Sequence, residues 1–141
     1  MSRADLIDAC LLDLRRHEGL RLKPYRDTVG VLTIGYGRNL DANGIRYAEA
    51  ELMLQNDVEE VLEAVSKALP WFGSLDEDRQ AILVNMAFNL GLAGLLGFNN
   101  TLAEIEAGRY DEAAARMLES KWATQVGNRA KELATRMRGF T

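Results

Sequence analysis

The stretch RRHEGLRLKPYRDTVGVLTIGYGRN, residues 15–39, decides the reading of this chain. It sets Glu18 at the end of a helical pattern, Asp27 in a polar turn and Thr33 inside a short β-branched run. Glycines at 19, 30, 35 and 37 let the backbone turn sharply enough to aim all three side chains at one point. Pro24-Tyr25, the turn Asp27-Thr28-Val29-Gly30, the run Val31-Leu32-Thr33-Ile34 and then Gly35-Tyr36-Gly37 predict a small hairpin or meander. No other segment of the chain carries a strand signal.

Helical periodicity surrounds this segment on both sides. Leu6, Cys10, Leu11 and Leu14 predict a first helix over roughly 3–17, stopped by Gly19. Cys10 reads as a small buried hydrophobe on it. From Tyr47 to Leu69 the apolar set Leu52, Leu54, Val58, Leu62, Val65 and Leu69 predicts a long helix limited by Pro70, a rod of roughly 33 Å at 1.5 Å per residue. Ser74-Leu75-Asp76-Glu77 has capping-box spacing and opens an apolar helix through Leu90, broken by Gly91, Gly94 and Gly97. Asn99 or Asn100 suits the cap of a helix ending near Gly108, and Asp111 the cap of one running to about Ser120. A last helix covers roughly Asn128–Met137, with Gly139 beyond it.

The expected fold class is therefore α+β and predominantly helical. A small β-containing N-terminal lobe (about 15–45) is joined by a long helix (about 46–70) to a helical C-terminal lobe (about 71–141, with helix 3–17). A cleft between such lobes would suit a polymer.

Composition narrows the function. At 141 residues with 48% hydrophobic content, the chain suits one domain with its own core. A single cysteine rules out an intrachain disulfide and fits a reducing compartment. Residues 41–78 carry 2 basic and 10 acidic side chains, whereas both ends are mildly basic. That distribution argues against a nucleic-acid partner, which needs a concentrated basic face. MSRADLIDACLLDLRRHEG lacks a long apolar run, so neither a secretory signal nor a membrane span is expected there. No cofactor and no metal are expected.

Two carboxylates in different settings plus a hydroxyl are the components of acid/base chemistry on a glycosidic bond. Glu18 faces the negative pole of its helix, which favours the protonated form that a general acid uses. Asp27 and Thr33, delivered from one hairpin, could hold and activate a water. Each residue also has a plainer use: a solvated helix end for Glu18, an Asx-turn for Asp27, a strand preference for Thr33. Trp71, Trp122 and Phe88 read as core rather than as a sugar platform, although an exposed one would suit either use.

The run Glu18-Gly19-Leu20-Arg21-Leu22, Tyr25-Arg26-Asp27-Thr28 and Thr33-Ile34-Gly35-Tyr36-Gly37 resembles the lysozymes of bacteriophages, more closely the T-even type, glycoside hydrolase family 24. The resemblance continues in Asn85-Met86-Ala87-Phe88-Asn89, in Ala93 through Thr101, in Tyr110-Asp111-Glu112-Ala113-Ala114 and in Asn128-Arg129-Ala130-Lys131. It implies a lysozyme-like fold and an endolysin that hydrolyses the β-1,4 bond between N-acetylmuramic acid and N-acetylglucosamine in peptidoglycan, by inversion. It makes Glu18 the acid, Asp27 the water-positioning carboxylate and Thr33 its helper. It sets Phe88 and Thr101 on substrate positions and Arg129 on an arginine that reaches toward the acid.

The resemblance also implies a monomer that accumulates in the host cytoplasm and reaches the wall through a separate holin-type protein. It departs at Arg38, where the family's type member has a histidine paired with an aspartate of the long helix. It departs again at Asn39 and Arg116, on substrate-lining positions. Two rivals share the fold: a lytic transglycosylase, which needs no water-holding carboxylate, and a catalytically silent wall-binding module.

Overall fold

The computed structural model describes residues 2–139. The chain divides between Leu52 and Met53 into two compact units. The first holds helix α1 (Arg3–Glu18), strands β1 (Arg21–Arg26), β2 (Leu32–Gly35) and β3 (Arg38–Asn39), and the four-residue helix α2 (Leu40–Asn43). Helix α3 (Tyr47–Ala68) begins in it. After a 3-10 turn at Phe72–Ser74, the second unit adds α4 (Glu77–Leu96), α5 (Asn99–Glu106), α6 (Tyr110–Glu119), α7 (Lys121–Val126) and α8 (Asn128–Arg138). The fold is the expected lysozyme-like α+β class, predominantly helical, with a small three-stranded sheet near the N-terminus.

Local chemistry explains the first unit. Ser2 and Asp5 form a reciprocal capping box: Asp5 N donates to Ser2 Oγ and Ser2 N to Asp5 Oδ2, each at 3.1 Å. The helix then runs to Glu18 and stops at Gly19, whose φ of 72° a side chain would resist. The sheet is antiparallel in the order β1-β2-β3, with Tyr25 opposite Thr33 and Thr33 opposite Asn39. Thr33 thereby sits on the central strand and is buried.

The expected burial of Cys10 is not met. Cys10 is exposed, and no residue of α1 is buried. The first unit is too small to cover a whole helix face. Likewise Leu52, Leu54, Val58 and Leu62 of α3 are exposed, and only Val65 of that helix and Leu69 beyond it are buried.

The second unit has an apolar core in which Val65, Ile82, Leu83, Met86, Met117 and Met137 have no exposed surface. Several predicted caps shift by a few residues. Asp76, not Ser74, caps α4, its carboxylate accepting from Arg79 N at 3.1 Å, while Ser74 Oγ donates to Trp71 O. Phe98 and Arg109 occupy the cap positions of α5 and α6 without side-chain caps, so Asn99 and Asp111 lie within the first turns. Gly91, with φ 79° and ψ 160°, breaks α4 as expected. Helix α4 is long and apolar enough by composition to cross a membrane, yet its interruption at Gly91 and its buried face of Ile82, Leu83, Met86, Ala87 and Leu95 belong to a core helix. Helix α7, capped by Ser120, was not anticipated.

Candidate active site

The three polar side chains singled out in the sequence, Glu18, Asp27 and Thr33, all belong to the first unit. Glu18 is the last residue of α1 and is exposed, with Arg15, Arg16 and His17 in the same turn. Its carboxyl group lies against the turn that joins β2 to β3: a Cβ placed on Gly37 would stand 2.9 Å from Glu18 Oε2.

Asp27 closes the β1–β2 turn. Its Oδ1 accepts from Val29 N and from Val31 N, both at 2.9 Å. Main-chain bonds tighten the same turn, Asp27 N donating to Val31 O and Gly30 N to Asp27 O. So the plainer reading, an Asx-turn, is correct for one oxygen of this carboxylate. Among the described residues the other oxygen, Oδ2, takes no hydrogen bond. Thr33 Oγ1 donates to Val31 O at 2.8 Å. Its only proton is thereby used, and toward a further group it presents lone pairs. Val31 is the shared element, since its N–H holds Asp27 and its carbonyl holds Thr33.

Next to this site Arg38 pairs with Glu49 in the first turn of α3, which also accepts Arg46 N at 2.7 Å. The Arg38 guanidinium, and secondarily the Arg46 amide, holds the Glu49 carboxyl down to about 2. Asn39, read as substrate-lining from the resemblance, uses its side chain to cap α2, accepting from Ala42 N at 2.9 Å.

The remaining candidates belong to the second unit and fall in two places. Phe88 and Arg129 line one largely apolar groove of about 440 Å³ with Val58, Val84 and Asn85. Phe88 is 44% exposed and so available to a ligand rather than given over to the core. Trp122, by contrast, is buried, its indole donating to Asn89 Oδ1 at 2.8 Å. Arg129 is fixed by Asn85, Nε donating to Oδ1 at 2.9 Å and Nη2 to the main-chain oxygen at 3.3 Å. Thr101 is buried beside a separate hollow of about 280 Å³, which Arg116, Asn100 and Ser120 also line.

The sequence profile of phage lysozymes matches residues 15–138, spanning Glu18, Asp27, Thr33 and the residues that line both hollows. The chain belongs to the phage lysozyme family. That family is one of peptidoglycan-lytic glycosidases. The chain is similar to the pre-baseplate central spike protein of Enterobacteria phage T4, with 31% identity across 85% of this chain. It spans only 26% of that relative's length. A probable T4-type lysozyme of Dictyostelium discoideum is 26% identical over 85% of this chain and 88% of its own. An endolysin of Acyrthosiphon pisum secondary endosymbiont phage 1 is 28% identical over 79% and 75%.

The sequence singles out Glu18, Asp27 and Thr33 as candidates but not the groups that they and Arg129 contact. The Gly37 contact, the Val31 peptide and the Asn85 clamp on Arg129 leave no signature beyond a glycine, a valine and an asparagine.

Proposed function

We propose that this chain is an endolysin-type muramidase, hydrolysing the β-1,4 bond between N-acetylmuramic acid and N-acetylglucosamine with inversion. The observation that carries the proposal is the shared attachment of Asp27 and Thr33 to Val31. A water that gives one proton to Asp27 Oδ2 and the other to Thr33 Oγ1 turns its lone pair outward, toward an anomeric carbon. Glu18, at a helix end with its carboxyl exposed, protonates the leaving oxygen. Asp27 then takes the water's proton as the new C–O bond forms. The Asx-turn matters here because it fixes the carboxylate by one oxygen and leaves the second to act as base.

Phe88, Thr101 and Arg129 supply substrate contacts in this reading, the ring of Phe88 against a sugar face and Arg129 as a clamped cation. The partner is bacterial peptidoglycan. A monomeric chain that accumulates in the host cytoplasm and needs a separate holin-type protein to reach the wall completes the proposal, as does its operation as one lysozyme domain.

The test is clearing of purified peptidoglycan by the wild-type chain and by Glu18→Gln. Gln keeps the shape and cannot donate the proton, so a loss of at least about 10²–10⁴ in rate is expected with the fold intact. Substantial clearing by pure, folded Glu18→Gln would remove Glu18 from the acid role.

A further inference from the structure

Gly37 stands in the turn between β2 and β3 with φ +85°. A Cβ built on it would meet Glu18 Oε2 at 2.9 Å, Cδ at 3.4 Å and Cγ at 3.7 Å. The carboxyl group therefore fills the space where any other residue would carry its side chain. The remaining positive-φ glycines differ. Among the described residues, Gly19, Gly30, Gly35, Gly44, Gly91, Gly108 and Gly127 have nothing within 4 Å of that position, and Gly139 meets Arg79. Their glycine answers a backbone need alone. At Gly37 the backbone need coincides with a close approach to the acid.

We infer that Gly37 is a positioning residue for the reaction, its missing side chain being the seat of the Glu18 carboxyl group. The inference rests on the reading of Glu18 as the general acid. It assigns to the β2–β3 turn the task of setting where the acidic proton is presented. The atom that a side chain at position 37 would displace is the far end of a flexible, exposed glutamate. Rotation about its χ angles relieves the clash without disturbing any packed element. The fold tolerates such a shift, and catalysis does not, since a displacement near 1 Å of a reacting group costs about 10² in rate.

The two contributions, strain and displacement, separate by experiment. On soluble peptidoglycan fragments, Gly37→Ala is expected to lower kcat by about 10²-fold with KM within about twofold. Gly108→Ala, at a comparable φ of +78° with open space around it, carries similar backbone strain and should leave kcat unchanged. Asn tolerates positive φ, so Gly37→Asn keeps the test alive should the alanine variant fold poorly, and the same loss of kcat is expected.

The decisive comparison is Glu18→Asp in both backgrounds. The shorter side chain withdraws the carboxyl from position 37, so it should cost much less in Gly37→Ala than in the wild type. Equal costs in the two backgrounds, or wild-type kcat in folded Gly37→Ala and Gly37→Asn, would overturn the inference. Glu18→Gln in the same assay keeps the two ideas apart. Activity in that variant sinks the acid assignment itself, whereas its inactivity beside fully active position-37 variants sinks only the role of Gly37.

Discussion

Glu104 of α5, nine-tenths buried, meets Arg116 of α6 through one carboxylate oxygen at 2.9 Å, while its other oxygen is buried without a hydrogen-bond partner among the described residues. A half-satisfied buried carboxylate is costly, because the desolvation of both oxygens is repaid by a contact to only one. Removing the partner is worse than removing the charge. Arg116→Ala should destabilise the protein by about 1–3 kcal/mol, as it leaves Glu104 buried and uncompensated. Glu104→Met, apolar and of similar volume, should be neutral or stabilising by up to about 1–4 kcal/mol. Urea unfolding of the two variants measures both. Equal destabilisation would show that the pair contributes as a unit.

A second pair makes stability depend on acid pH. Arg38 and the Arg46 amide hold Glu49 well below the ordinary glutamate value of 4.5, at about 2. A carboxylate with a depressed folded-state value adds stability that is fully present above its unfolded value and is lost as pH falls through the folded one. The window is therefore about pH 4.5 down to about 2. Glu49→Gln should melt below the wild type at neutral pH, and the difference should shrink across that window. A constant difference from neutral pH to pH 2 would mean that Glu49 acts through shape and not through its charge.

The groove residue Arg129 is held by two bonds to Asn85, one to the side chain and one to the main chain. Asn85→Ala removes the first and keeps the second. If Arg129 supplies a clamped cation to the glycan, the variant should raise KM by about 3–10-fold, matching one hydrogen bond of about 1 kcal/mol, with kcat retained. A fall in kcat at constant KM would assign the clamp to transition-state binding instead.

What the sequence disclosed and what it withheld follow from the range of the forces involved. Gly19 after a periodic run and Asp27 four residues before Val31 are local signals, and both the helix stop and the turn appear where they were read. Caps lie one or two residues from the expected positions at Asp76, Phe98 and Arg109. At Asp76 a neighbouring side chain offers a nearly equivalent bond, and at Phe98 and Arg109 the helix starts without a side-chain cap, so no capping residue marks the start. Helix α7 is too short for a period to register. Cys10 is exposed despite its place in the helical period, because burial depends on what covers a face, which periodicity along one helix does not contain. Gly37 and Glu18 are 19 positions apart, and only the fold shows that one leaves room for the other.

Stereochemistry of the product tests the mechanism most directly. Asp27 is fixed by Oδ1; in the proposed mechanism its Oδ2 holds a water, a task with no role in a transglycosylase, whose 1,6-anhydro product forms without water. Inverting enzymes hold their carboxyls roughly 6.5–9.5 Å apart to admit that water, against about 5–5.5 Å in retaining ones. The first-formed product should therefore be the α-anomer, read by proton NMR of a fresh digest. Asp27→Asn should leave the fold intact, since the amide oxygen can still accept from Val29 and Val31 in the place of Oδ1. Its NH₂ then occupies the position of Oδ2 and donates where a base must accept, so turnover should fall by about 10²-fold or more. A β-anomer would point to a covalent or substrate-assisted route, and a 1,6-anhydro sugar would establish the transglycosylase.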